Sequence, residues 1–148
     1  MVDLVATGRP ILRFGKKMKA VIGMKPLRFV IVGIFNTVIG LAIIFAAKAL
    51  FSFGDLPSNV LGYGVGLLVS FFLNRNWTFQ YNGKVLPACL RFGIAVALAY
   101  SLNLATVFGL RDGAGINSYL SQAAGVIPYT VFFYLASRYY VFSERDTA

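Results

Sequence analysis

Long stretches without a charged residue constrain this chain more than any other feature of its sequence. Residues 29–47, 56–74 and 92–110 are three charge-free runs of 19 residues each, and residues 113–137 form a fourth run of 25. An α-helix rises about 1.5 Å per residue, so roughly 20 apolar residues cross the hydrocarbon core of a bilayer. One such run could be a buried helix of a soluble protein. Four of them predict an all-α integral membrane protein with four transmembrane helices.

The composition agrees with this class and excludes several others. Hydrophobic residues make up 58% of the chain and charged residues 13%, whereas about 25% of residues are charged in a soluble domain. The chain has no histidine and one cysteine, Cys89, so we expect no metal site, no cofactor and no intrachain disulfide. It has no glycine-rich phosphate loop and no nucleophile paired with a base. The sequence therefore predicts that the protein is not an enzyme.

The placement of lysine and arginine predicts the orientation in the membrane. Of these 14 residues, 12 lie in the N-terminal segment, the central loop or the C-terminal end, and only Lys48 and Arg111 flank the opposite helix ends. The positive-inside rule then predicts a multi-pass protein of the cytoplasmic (inner) membrane, with both termini in the cytoplasm. Topology explains the basic charge, so nucleic acid is not an expected partner. Lys48 is predicted to extend to the membrane surface, the alternative being that it binds an anion.

The two halves of the sequence resemble each other when one is shifted by 63 residues. Leu27–Phe29 then falls on Leu90–Phe92, Arg75 on Arg138 and Trp77 on Tyr140. This register predicts two helical hairpins that enter the membrane from the same side, as a parallel repeat. The alternative is that any two membrane hairpins share basic and aromatic boundaries. Residues 1–26, which precede the hairpins, predict either a basic amphipathic helix on the membrane surface or a flexible tail.

Two helices carry small residues at every fourth position. The series are Gly62, Gly66, Ser70, Asn74 and Gly93, Ala97, Ser101, Ala105, Gly109. Small residues let helix backbones approach closely in a membrane. Both seams predict close packing within the monomer, and the alternative is that one of them forms a homodimer contact. We treat a homodimer as the expected working unit.

Polar residues within the charge-free runs are candidates for function, because they are costly in a bilayer. Asn36 and Asn103 either form hydrogen bonds between helices or line a path for a substrate. All five carboxylates lie outside the runs. A proton-coupled exporter of cationic drugs needs an acid inside the membrane, so the sequence argues against that function.

Three segments resemble the GtrA-like family of small four-span membrane proteins. They are RFVIVGIFNTVIGL (28–41), SFFLNRNWTF (70–79) and, more weakly, RFGIAVALAYSLN (91–103). The resemblance covers residues 27–142 and leaves out the basic segment and the predicted cytoplasmic tail, residues 143–148. It implies a protein that flips a polyprenyl-phosphate-linked sugar across the membrane for cell-surface polysaccharide synthesis, beside a membrane glycosyltransferase. The alternative is a partner that positions this glycosyltransferase without moving lipid.

Such a substrate assigns roles to particular residues. Arginine binds phosphate through two parallel hydrogen bonds, and the residues expected to do so are Arg75, Arg28, Arg91 and Arg138, converging at one cytoplasmic mouth. Amide and aromatic side chains could replace water around the sugar, and the residues expected to line its path are Asn36, Asn74, Asn103 and Trp77. Membrane lipids would surround the apolar tail.

Overall fold

A computed structural model describes the backbone of residues 9–143 and the side chains of residues 24–143. Four α-helices make up most of it: α1 (Arg9–Phe51), α2 (Asp55–Leu73), α3 (Val85–Phe108) and α4 (Ser118–Ala136). Three π-helical turns extend the last three helices, at Asn74–Thr78, Gly109–Gly113 and Ser137–Val141. The chain is therefore all-helical over the described residues, as the sequence predicts.

The predicted basic segment continues into the first helix. Helix α1 begins at Arg9 and includes Pro26, so the backbone from residue 9 to residue 26 is helical. Residues 1–8, the side chains of residues 9–23 and the predicted tail from residue 144 lie outside the described residues. The expectation that this segment lies on the membrane surface therefore stays a prediction.

The chain divides into two compact units, residues 1–78 and residues 79–148. In the first unit α1 packs against α2, and in the second α3 packs against α4. Each unit is thus a helical hairpin. Asp55 begins α2 and suits the positive end of the helix dipole, while the Asn117 side chain caps α4 by accepting a hydrogen bond from the Tyr119 backbone N–H at 2.9 Å.

Within the first hairpin, every fourth residue of α2 and its π-helical turn is buried. These residues are Ser58, Gly62, Gly66, Ser70, Asn74 and Thr78. A Cβ atom added at Gly62 would lie 2.8 Å from the carbonyl oxygen of Gly40 on α1. The two backbones can approach this closely only because glycine has no side chain. The first of the two predicted seams therefore packs inside a hairpin.

The second predicted seam does not pack against the other helix of its own hairpin. Its five residues, Gly93, Ala97, Ser101, Ala105 and Gly109, are all exposed. Helix α3 instead buries a different face, formed by Ala88, Phe92, Ala95, Ala99 and Val107. Helix α4 contacts this face of α3 at Gly125, where an added Cβ would lie 2.7 Å from Asn103 Nδ2 and 2.8 Å from Val107 Cγ2. A spacing of four defines a stripe on a helix but does not say which stripe faces the neighbour.

Three of the helical segments in the described part of the chain are long and apolar enough to cross a membrane, namely Met24–Phe51, Asp55–Thr78 and Val85–Gly113. Helix α4 has 19 residues, the same number as α2. It includes Gln122, Pro128 and Thr130 and is not one of these three segments.

Candidate functional site

Arg28 and Trp77 join α1 to the turn that follows α2. Arg28 Nη1 donates a hydrogen bond to the carbonyl oxygen of Trp77 at 3.1 Å. The guanidinium carbon also lies 5.5 Å from the centroid of the Trp77 ring, within the range of a cation–π interaction. Arg28 is half-buried and Trp77 is exposed. Two predicted site residues are therefore in direct contact.

Arg75 lies on the same π-helical turn, two residues before Trp77. It is half-buried, and its Nη1 donates a hydrogen bond to Asn76 Oδ1 at 3.1 Å. A guanidinium carries five N–H donors in one plane, and this bond helps to fix that plane. Single π-helical turns are frequent at functional sites. We call Arg28, Arg75 and Trp77 the basic end of the first hairpin.

Asn36 and Asn74 lie on the interface between α1 and α2. Asn36 Oδ1 would be 2.9 Å from a Cβ atom at Gly66, so the amide fills the space that this glycine leaves. Asn74 is 1% exposed, and its Nδ2 donates to the Ser70 carbonyl at 2.9 Å and to Ser70 Oγ at 3.3 Å. The Oδ1 atoms of both asparagines are buried and have no hydrogen-bond partner within the described residues.

Sequence reasoning placed Ser70 in this interface but missed Thr78, which is a further polar member of it. Thr78 is fully buried, and its Oγ1 lacks a hydrogen-bond partner in the described part of the chain. The signal was available, since Thr78 continues the four-residue spacing of Ser70 and Asn74. The sequence prediction ends that series at Asn74, before the charge at Arg75.

The remaining predicted residues lie in the second hairpin. The Arg91 guanidinium lies 5.9 Å from the Tyr140 ring. Arg138 donates from Nη1 to Tyr134 Oη at 3.3 Å and lies 5.1 Å from the Tyr139 ring. Asn103 packs beside Gly125. Each arginine thus has an aromatic neighbour in its own hairpin, and the convergence of all four guanidiniums stays a prediction.

The opposite ends of both hairpins carry paired charges. Lys48 of α1 forms an ion pair with Asp55 of α2, which argues against Lys48 as a ligand for an anionic substrate. In the second hairpin, Arg111 Nε donates to Asp112 Oδ1 at 2.7 Å and Arg111 Nη2 donates to Oδ2 at 2.9 Å. The two cations that the sequence places on this side are therefore each neutralised by a carboxylate.

The distribution of side chains defines the class of protein. The buried face of α2 carries small and polar residues, whereas large apolar residues lie on the surface. Examples of exposed residues are Leu56 at 76%, Val60 at 64%, Tyr63 at 67% and Leu68 at 54%. An extended apolar surface of this kind is stable in lipid and unstable in water. The fold is that of a helical membrane protein.

Comparison with known proteins gives the family. Residues 28–142 match the family described as GtrA/DPMS, transmembrane domain, and the chain belongs to this family, which is linked to glycan-related membrane proteins. The chain is also 29% identical over 121 residues to the uncharacterized membrane protein YngA of Bacillus subtilis (strain 168), over 79% of this chain and 78% of that protein.

Proposed function

We propose that the protein moves a polyprenyl-phosphate-linked sugar across the cytoplasmic membrane, for the synthesis or modification of cell-surface glycans. The observation that carries this proposal is the basic end of the first hairpin. There Arg28 and Trp77 are in contact and Arg75 lies on the same turn. A phosphate needs charged donors, and a sugar stacks well on an aromatic ring. The charged donors and the aromatic ring lie together at this end of the hairpin.

The chain needs no energy source of its own for this movement. The long apolar tail of the substrate stays in lipid, so only the headgroup requires shelter from the hydrocarbon. Moving one negative charge outward across an inside-negative potential is favourable by about 2.3 kcal/mol per 100 mV. We therefore propose passive transport, without a catalytic step or a cofactor.

Binding can be tested separately from transport. A polyprenyl-phosphate sugar that carries a photoreactive group next to the phosphate should cross-link to residues near Arg75, as mapped by mass spectrometry. Excess unlabelled lipid-linked sugar should compete, and a neutral polyprenol should not. Equal competition by both lipids would show that only the tail is recognised and would contradict the proposal.

A second candidate function is that of a membrane partner for a glycosyltransferase. The exposed small-residue seam of α3 favours it, because close helix contact needs such a surface. If this second function is correct, the chain should co-purify with the transferase, and the purified chain alone should move no lipid.

We further infer that the two hairpins are a parallel repeat and that α4 is the fourth transmembrane helix. Contacts at positions 63 residues apart support this. The Arg28–Trp77 pair corresponds to Arg91–Tyr140, and the packing of Gly62 on Gly40 corresponds to that of Gly125 on Asn103. Corresponding contacts in two hairpins are expected if one hairpin was duplicated.

A parallel repeat and the basic asymmetry together give a topology that can be tested. In a Cys89→Ser background, we expect single cysteines at Asp55 and Asp112 to react with a membrane-impermeant maleimide in intact cells. A cysteine at Lys84 should react only after the cells are opened. Labelling at Lys84 in intact cells would contradict the proposed orientation.

The exposed seam of α3 gives a test of the proposed homodimer. Ala97→Leu should weaken self-association in lipid, measured by energy transfer between labelled copies, because the added side chain keeps helices apart. Ala42→Leu is the matched control, since this exposed alanine on α1 lies outside the seam. Unchanged association of the Ala97→Leu protein would remove this seam as the dimer contact.

A further inference from the structure

Four polar side chains of the first hairpin form a line that leads inward from its basic end. Thr78, Asn74 and Ser70 follow one another at intervals of four residues, and Asn36 of α1 meets the same line at Gly66. We call Asn36, Ser70, Asn74 and Thr78 the polar ladder. From residue 66 to residue 78 a helix extends about 18 Å, more than half of a hydrocarbon core of about 30 Å.

Three oxygen atoms of the polar ladder are buried without a hydrogen bond to any described residue. They are Asn36 Oδ1, Asn74 Oδ1 and Thr78 Oγ1. Asn74 and Thr78 are 1% and 0% exposed. A buried acceptor without a partner is destabilising, typically by about 1–3 kcal/mol. The Asn74 Nδ2 group donates both of its hydrogen bonds to Ser70. The Asn74 Oδ1 atom takes part in neither bond and is available to accept one from another group.

The second hairpin shows that this kind of fold does not require a polar group at three of these four positions. The positions 63 residues further along carry Ala99, Phe133, Ser137 and Val141, and all four are buried. Only Ser137 is polar there, and its Oγ is likewise buried without a hydrogen bond to any described residue. A hairpin of the same kind therefore packs with alanine, phenylalanine and valine at three of the four positions. Packing alone does not explain why the first hairpin has asparagine, serine and threonine at those positions.

We propose that the polar ladder is a binding site for the hydroxyl groups of a sugar headgroup, and that it belongs to the first hairpin alone. Amide carbonyl oxygens only accept hydrogen bonds, so the ligand must supply donors. Sugar hydroxyls supply several, whereas a doubly ionised phosphate supplies none. The inference rests on the proposed function, and it adds that the ladder distinguishes a polyprenyl-phosphate sugar from the same lipid without its sugar.

The test compares two lipids in liposomes that contain only this protein. One lipid is a fluorescent polyprenyl-phosphate sugar and the other is the same polyprenyl phosphate without sugar. The variants Asn36→Ala and Thr78→Val install the residues that the second hairpin has at Ala99 and Val141, so the hairpin should still fold. Each should slow movement of the sugar-bearing lipid by roughly fivefold to tenfold, the effect of one lost hydrogen bond, and leave the sugar-free lipid at the wild-type rate.

Thr37→Val is the matched control for Thr78→Val. The Thr37 hydroxyl is on an exposed face and already donates to the Gly33 carbonyl at 3.0 Å, so its removal should affect neither lipid. If wild-type protein moves both lipids and both ladder variants keep the wild-type ratio of rates, the ladder is only hydrated and the inference is overturned. If wild-type protein moves neither lipid, the proposed function fails as well. A Thr78→Ser variant that restores the rate lost in Thr78→Val would support the hydroxyl as the interacting group.

Discussion

Replacing Arg75 with lysine is expected to lower transport of the lipid-linked sugar about tenfold. Lysine keeps the positive charge, so the orientation and the amount of protein in the membrane should not change. It loses the planar pair of donors that matches two phosphate oxygens, and a hydrogen bond to a charged group contributes about 1.5–3 kcal/mol. It also loses the bond from Arg75 Nη1 to Asn76. Initial rates in liposomes measure the effect.

The reverse substitution at Lys84 is the control. Lys84 lies in the loop just before α3 and outside the proposed site, so Lys84→Arg should transport at the wild-type rate. Normal transport by Arg75→Lys would mean that Arg75 acts only through its charge, as a topology signal, and that the phosphate binds elsewhere.

Replacing Gly62 with alanine is expected to destabilise the first hairpin by about 1–3 kcal/mol, the usual effect of overpacking. The added Cβ would lie 2.8 Å from the carbonyl oxygen of Gly40. A backbone atom cannot rotate away as a side chain can, so α1 and α2 would have to separate. The change in free energy of unfolding is measured by titrating a denaturing detergent and monitoring the loss of helical structure.

Gly64 provides the comparison, because it lies on the same helix and, among the described residues, an added Cβ would meet no atom within 4 Å beyond its chain neighbours and the nearby backbone of its own helix. Gly64→Ala should therefore unfold at the wild-type detergent concentration or slightly above it, since alanine favours a helix over glycine. Equal effects of the two substitutions would show that the helices do not pack closely at Gly62.

The sequence was sufficient to predict the helices but not the way in which they face each other. The charge-free runs predicted the approximate positions of α2, α3 and α4 and the second half of α1, whereas α1 itself begins at Arg9. The face of α3 that packs on α4 is not its small-residue seam, since spacing does not fix the rotation of a helix about its axis. That rotation depends on the fit of residues such as Phe92 and Val107, which are distant from α4 in the sequence.

The candidate site was predictable in its types of residue and less so in its contacts. The repeat pointed to Arg28 and Trp77, whose pairing the structure describes. The ion pair of Lys48 with Asp55 was missed, because seven residues and a turn separate them. Thr78 was missed for another reason: it follows the charged Arg75, and a charge ordinarily marks the end of a buried face in the membrane.

The most direct measurement is the rate at which the purified protein alone moves a polyprenyl-phosphate sugar between the leaflets of a liposome. The labelled lipid is placed in both leaflets, and an impermeant reagent destroys the label that is exposed outside. We expect nearly all of the label to become accessible in vesicles that hold the protein, without any added nucleotide or ion gradient, at a rate that rises with the number of copies per vesicle. Protection of half of the label, as in protein-free vesicles, would contradict the proposed function.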